Sequence, residues 1–372
     1  MAADQHPANG LEVPLGGCRS SRHLLEQFRR NWRRRRIAVL RLGAYGTTME
    51  TDQMRRRILS VLMAALVLLS GAACRASEAP TVAIFNLVSH PILDESIAGI
   101  KEQLVAEGFS GDEVILQEVN AGGDMNALNG FGEELLALNP AVIIPVSTPV
   151  AATVIGLVAE DQNVVYSTVT NPSDIGMDAT PRNVTGVSDV VDFESNIALI
   201  RELFPDASRI GMVYNRGEAN SQFGVDRVET LIADLPLELQ TVVVANANEV
   251  PDAARALAPL IDVFYVGSDN TVASAMPAMT EVAAEFGIPV IASDIGSVEN
   301  GALAAVSVDY RLLGRRVGEI VAELLRTGAD AGTVEPVYFV GDSLVLNMVT
   351  ASQMGFEFSA AIQNRASKVI SP

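Results

Sequence analysis

From Pro80 onward the chain alternates short β-branched runs with stretches whose apolar residues recur at helical spacing. TVAIFNLV (81–88) precedes a helical pattern from Leu93 to Glu107, and VILQEVN (114–120) one from Asp124 to Leu138. AVIIPVS (141–147) precedes one from Pro149 to Glu160, and NVVYSTVT (163–170) closes this half. The rhythm restarts with RIGMVYN (209–215), LQTVVVAN (239–246), VFYVGSD (263–269), IPVIASD (288–294) and ALAAVSV (302–308). Helical patterns run between them, including Asn220 to Ala233, Val250 to Leu260 and Val272 to Phe286. Strands separated by helices of this length predict right-handed βαβ crossovers and parallel sheets covered on both faces. Two α/β halves of roughly 100 residues each are the natural division.

In such sheets ligands bind beyond the carboxyl ends of the strands. The strand exits read Ser89-His90-Pro91, Ser147-Thr148-Pro149, Thr170-Asn171-Pro172, Asn215-Arg216-Gly217 with Asn220-Ser221 beyond, Ser268-Asp269-Asn270-Thr271 and Ser293-Asp294. Any one of these is explained by helix capping or turn formation. Six together, from both halves, describe a cleft of hydroxyls, amides, carboxylates and helix N-termini able to hold both ends of a zwitterion. Thr271 is the expected N-cap of the helix that follows the fifth exit. His90 has two readings, a packed structural histidine or a wall against the ligand's side chain.

Charge narrows the function further. Residues 1–73 hold 12 basic and 5 acidic residues, and the rest of the chain holds 14 basic and 40 acidic, a net −26. So acidic a body repels phosphate backbones and anionic lipid, which argues against nucleic acid and favours a small ligand. Cys18 and Cys74 are the two cysteines, and His90 is the sole histidine after residue 23. The body therefore has no disulfide, no Cys-based or His-rich metal site, and little choice of general base. No cofactor and no metal are expected.

The segment from Met54, MRRRILSVLMAALVLLSGAACRASEAP, has a basic start, an apolar stretch from Ile58 to Leu69 and small residues before Cys74. That order is a secretory signal, with an apolar region short for a membrane span. Cys74 after Gly-Ala-Ala resembles a lipoprotein box, although Gly71 stands where that box has Leu. Lipidation of Cys74 and cleavage after a nearby alanine, releasing a periplasmic protein, are both open. Residues 1–53 read as a misassigned leader, because an export signal acts at the start of a chain.

The ordered set SHPILD (89–94), STP (147–149), TVTNPSDIG (168–176), NVTGVSD (183–189), YNRGEANS (214–221), YVGSDNTVASAM (265–276) and IPVIASD (288–294) resembles one family. It is the ABC-transporter substrate-binding proteins of the tryptophan/tyrosine type, periplasmic binding proteins of the type I fold. The resemblance covers residues 81–358. It implies an α/β chain of two Rossmann-like lobes with parallel sheets joined by a three-strand hinge. The lobes are expected at 81–187 plus 309–332 and at 188–308 plus 333–360. Crossings are expected at Gly186 to Asp189, Val308 to Tyr310 and Thr333 to Pro336, where Gly186 and Gly332 would flex. Carried over residue by residue, the ligand-contacting positions fall on Thr148, Thr170, Asn171, Asn220, Ser221, Asp269, Asn270 and Asp294. By charge, Asp269 and Asp294 would face the ligand's ammonium, and Thr148, Thr170 and helix N-termini its carboxylate. The implied protein is a monomeric, periplasmic or lipid-anchored component of an ABC importer. It would pass an amino acid or related small carboxylate to the permease subunits.

Three other readings differ in class. A carboxylate-based hydrolase could use Asp269 and Asp294, but no P-loop, G-x-S-x-G, H-E-x-x-H or G-x-G-x-x-G motif is present, so no enzyme is expected. A transcription regulator's effector domain would need a DNA-binding helix where this chain has an export signal. A sugar or nucleoside binder of the same fold would sandwich its ring between aromatics, and aromatic residues make up 5% of the chain, with no Trp after Trp32.

Overall fold

The computed structural model describes residues 79–177 and 183–372. The leader, the export segment as far as residue 78, and Cys74 lie outside the described residues. Among those described, no helix is long and apolar enough to cross a membrane.

Two sheets form, one from each half of the sequence rhythm. The first has the order β11-β5-β4-β3-β1-β2. Its strands are β1 (Thr81–Asn86), β2 (Ile115–Asn120), β3 (Val142–Val146), β4 (Val164–Ser167), β5 (Val184–Val190) and β11 (Val337–Val340). All of its pairings are parallel. The second has the order β13-β12-β10-β9-β8-β6-β7. It contains β6 (Arg209–Asn215), β7 (Glu238–Val244), β8 (Val263–Val266), β9 (Val290–Ala292), β10 (Ala304–Ser307), β12 (Ser343–Asn347) and β13 (Lys368–Ile370). Here β10 and β12 alone pair antiparallel.

The period of two along each strand sends alternate residues to opposite faces. Val82 and Ile84 join one core cluster of the first sheet, and Ala83 and Phe85 the other. Met212 and Tyr214 divide from Val213 in the second sheet in the same way. Strands buried on both faces need continuous apolar runs, which is what the sequence supplies.

The first cluster is closed by α1 (Pro91–Ala106) against α10 (Tyr310–Thr327). The two helices approach at backbone distance through small residues. A Cβ on Gly314 would lie 2.0 Å from the Ser96 carbonyl oxygen, and one on Gly99 2.2 Å from that of Arg311. Ser96 is wholly buried, and its Oγ lies 2.8 Å from Ser167 Oγ at the end of β4. This contact fixes the start of α1 against the strand exits.

The remaining helices run from α2 (Leu128–Ala137) and α3 (Thr148–Leu157) through α4 (Phe193–Leu203), α5 (Ala219–Ile232), α6 (Val250–Leu257), α7 (Asn270–Ser274), α8 (Met276–Phe286) and α9 (Ile295–Glu299). Beyond α10 come α11 (Met348–Met354) and α12 (Ala360–Arg365). The single helix expected at 272–286 is thus two, broken at Ala275. Pro277, in the first turn of α8, has no N–H to continue a preceding helix.

Two of the expected crossings move. Because β5 extends to Val190 in the first sheet and Val191 and Phe193 pack under the second, the chain crosses at 191–192 rather than at 186–189. Because β11 pairs with β5 and β12 with β10, the last crossing is at 341–342, not at 333–336. Residues 188–190 and 333–340 therefore belong with the first sheet. Gly186 is not a flexing position but a close approach, since a Cβ there would lie 2.3 Å from the Tyr166 carbonyl oxygen.

Gly314→Ala is expected to lower stability by about 1–3 kcal/mol through overpacking. The readout is a lower urea midpoint at unchanged slope; an unchanged midpoint would mean that α1 and α10 can part without cost.

Candidate functional site

The carboxyl ends of both sheets face a shared seam, and a cavity lies in it. From the first sheet's side it is lined by Ile92, Leu93, Thr148, Thr168, Thr170, Asp189 and Tyr310. From the second it is lined by Asn220, Gly267, Ser268, Asp269, Asn270, Ala273, Ser293 and Asp294. The cavity has a volume of ≈ 10 Å³. That is room for about one water, so the lobes are drawn together. Two hydrogen bonds span the seam: Thr170 Oγ1 lies 2.7 Å from Ser268 Oγ, and His90 Nε2 lies 3.2 Å from Asn270 Oδ1.

Backbone strain marks the first sheet's wall. Ser147 has φ +91° and Thr168 φ +53°, conformations that L-residues seldom adopt. The Ser147 N–H donates to the Ser167 carbonyl at 3.0 Å and to Thr168 Oγ1 at 3.1 Å, holding both strained residues together. The result presents Thr148, at the opening turn of α3, beside Thr170, whose N–H points to Thr148 Oγ1 at 3.4 Å. Strain of this kind persists where surrounding structure over-determines it, and it clusters at binding sites.

Of the positions expected from sequence, Thr148, Thr170, Asn220, Asp269, Asn270 and Asp294 line the cavity, and Asn171 and Ser221 do not. Asn171 caps a one-turn helix (Pro172–Ile175), accepting from Ser173 N and donating to Asp174. Ser221 is buried under the seam, its Oγ directed at the Ser268 carbonyl.

The carboxylates are occupied differently from the expectation. Asp269 is the N-cap of α7: Oδ1 accepts Val272 N at 2.8 Å, and Oδ2 accepts Asn215 N at 2.7 Å. Thr271, expected as that cap, lies inside the helix and donates its hydroxyl to Glu218. Asp294 caps α9, accepting Ser297 N at 2.7 Å and Ser297 Oγ at 2.6 Å. Each cap therefore already has donors on both oxygens.

Asp189 differs. It lies in β5 and is 3% exposed, with Oδ2 accepting the Tyr310 hydroxyl at 3.1 Å and Oδ1 without any partner. Asn220 Oδ1, buried in the opposite wall, is unpartnered too. The sequence reading passed over Asp189 as a hinge residue and Glu218 altogether. Asp189 did leave a signal, an acid inside the apolar run VTGVSDV.

Glu218, Asp269, Asp294 and Asp189 are all buried, and among the described residues none of them enters an ion pair. Burial pushes Asp189 up to about 7 against help from its own backbone N–H and from the Tyr310 and Thr170 hydroxyls. Burial, then the negative charge of Glu218, pushes Asp269 up to about 7. Burial also raises Asp294, and it lowers His90 despite nearby Asn270, Asp294, Glu218 and Asp94. Two walls of acceptors and acids without a base make a receptor for a cation that brings its own donors. Among the described residues no cluster of His, Cys, Asp and Glu could hold a metal ion.

These shifts set a sign for stability. Between about pH 4 and pH 7 the folded protein retains protons on Asp189 and Asp269 that the unfolded chain has released, and Asp294 is raised in the same direction. Stability should therefore fall as pH rises through that window. His90, lowered by burial, works the other way below about 6.5. Urea midpoints of the ligand-free protein are expected to drop from pH 5 to pH 7.5, and Asp189→Asn to flatten the drop. An equal slope in that variant would remove Asp189 from the account.

The profile of the ABC transporter substrate binding protein family matches residues 81–370. A tyrosine-binding protein of Clostridioides difficile is 31% identical over 281 residues, 74% of this chain and 81% of that one. Among solved structures, an ABC domain from Streptococcus pneumoniae in complex with L-Trp superposes with a TM-score of 0.75 at 27% identity, covering 78% of this chain and 100% of that one. A ligand-free, open substrate binding protein with adhesive properties from Clostridium difficile gives 0.57 at 29% identity, covering 79% and 100%. At nearly equal identity the superposition is better on the complex than on the open form. The two-sheet architecture is that of the type I periplasmic binding proteins. With the family profile spanning most of its length, this chain belongs to the ABC transporter substrate binding protein family.

Proposed function

We propose that this protein binds a free amino acid between its lobes, with the ligand's ammonium at Asp189, and delivers it to the permease of an ABC importer. The observation that carries the reading is Asp189 Oδ1, a buried carboxylate oxygen with no partner in the wall of the cavity. An ammonium supplies a charge and three donors, and the unpartnered Asn220 Oδ1 can take a second of these. Asp269 and Asp294, with both oxygens engaged, add negative field and shape rather than the primary contact. Thr148, Thr170 and the first turn of α3 are the receptor for the carboxylate, which a helix N-terminus favours. Asn270 completes the opposite wall, and Asn171 and Ser221 are support.

Two relatives, a tyrosine-binding protein and an ABC domain in complex with L-Trp, support an amino acid with an aromatic side chain. Ile92, Leu93, Ala273 and Tyr310 offer that side chain its apolar contacts. Tyr310 is the one aromatic among the lining residues, which leaves a sugar ring without a sandwich. The ≈ 10 Å³ left between the walls cannot take such a ligand, so binding requires the lobes to part and close again. The cap roles of Asp269 and Asp294 hold them apart from the duties of a hydrolase pair, and binding proceeds without turnover. The protein acts outside the cytoplasm as a monomer, held by lipid on Cys74 or free.

Calorimetric titration with L-tyrosine, L-tryptophan and 3-(4-hydroxyphenyl)propanoate tests this. The two amino acids should bind. Losing the ammonium from the ligand, or the charge by Asp189→Asn, should each cost about 2–5 kcal/mol, a loss well beyond tenfold. Equal binding of the propanoate would place the recognition elsewhere.

A further inference from the structure

Glu218 is wholly buried, is not itself among the residues that line the cavity, and accepts five hydrogen bonds from three residues. Oε2 takes Asn270 N at 3.1 Å, Asn270 Nδ2 at 2.5 Å and Asn220 Nδ2 at 3.1 Å. Oε1 takes Thr271 N at 2.9 Å and Thr271 Oγ1 at 2.7 Å. A carboxylate only accepts, so both side-chain amides must turn their NH2 groups toward it and their oxygens away. The second hydrogen of Asn220 Nδ2 goes to the Ser268 carbonyl at 2.9 Å, which leaves Asn220 Oδ1 as the unpartnered acceptor. Asn270 Oδ1, turned the other way, meets His90 Nε2 of the opposite lobe. An amide oxygen cannot donate, so Nε2 carries the imidazole proton, and Nδ1, buried and without a partner, carries none.

We infer that Glu218 is a positioning residue for ligand capture: without touching the ligand, it sets the polarity of Asn220 and Asn270, making one an acceptor beside the cleft and the other the clasp for His90 across it. The inference rests on the interlobe-binding reading and deepens it. Glu218 determines that the second lobe's wall offers acceptors, which suit an ammonium, and that closure is fastened by one particular tautomer of His90. Asp294, Glu218 and Asp94 act on His90 through their charge, and Asn270 is the one of these four residues hydrogen-bonded to the ring.

The test uses Glu218→Gln, close in shape but carrying an NH2 that cannot receive the donors now held. Long-range ¹H–¹⁵N spectra of the His90 ring report its tautomer, and titration with L-tyrosine reports capture. Wild type should show the neutral Nε2–H form. In Glu218→Gln, Asn270 is free to turn, so His90 should gain the Nδ1–H form and L-tyrosine should bind at least tenfold more weakly. His90→Leu should weaken binding similarly and add little to Glu218→Gln, whereas His90→Gln, which keeps a donor, should retain most of the affinity. Unchanged tautomer and affinity in Glu218→Gln would overturn the inference, as would a wild-type His90 protonated at Nδ1, a result that stands even if the variant fails to fold. If the tautomer switches but wild type binds no L-tyrosine, the relay is upheld and the ligand assignment falls instead.

Discussion

A carboxylate removed from water must be given donors or a counter-charge, and this fold buries four of them at the seam between its sheets. Three are provided for internally. Asp269 and Asp294 cap helices, and Glu218 gathers five donors from Asn220, Asn270 and Thr271. Asp189 accepts the Tyr310 hydroxyl on Oδ2 and has no hydrogen-bond partner on Oδ1. The desolvation cost of that oxygen is what a bound cation relieves, and it gives closure of the lobes a chemical reason beyond apolar contact.

The rest of the architecture serves this seam. Close packing of α1 on α10 through Gly99 and Gly314 brings Tyr310 to Asp189 and His90 to the edge of the cleft. Strained Ser147 and Thr168 turn the exits of β3 and β4 so that Thr148 and Thr170 face the same space. The chain passes between the sheets at three places, 191–192, 308–309 and 341–342, and Asp189 and Tyr310 each lie within two residues of one of them. The proposed ammonium site thus lies next to the segments that link the two sheets.

The central strands were legible because burial on both faces demands uninterrupted apolar, β-branched-rich runs, and the sequence has them there. The polar exits were legible as a group for the same reason, since hydroxyls and amides stand out against those runs. Individual roles were not. Asp269 before a helix is equally a cap and a ligand contact, and only the geometry of Val272 N and Asn215 N separates the two. Glu218 gave no local signal because its key partners Asn270 and Thr271 lie 52 and 53 positions away. The run VYFV at 337–340 carried too little periodicity to reveal that it pairs with β5, and so the last crossing was expected too early.

Co-crystallisation with L-tyrosine tests the central claim most directly. The account predicts density between the two sheets with the ligand's nitrogen about 2.7–2.9 Å from Asp189 Oδ1, the range of a charge-assisted hydrogen bond, and its carboxylate at Thr148 and Thr170. A ligand whose nitrogen sits on Asp269 or Asp294 with Asp189 Oδ1 still unpartnered, or one bound outside the seam, would contradict it.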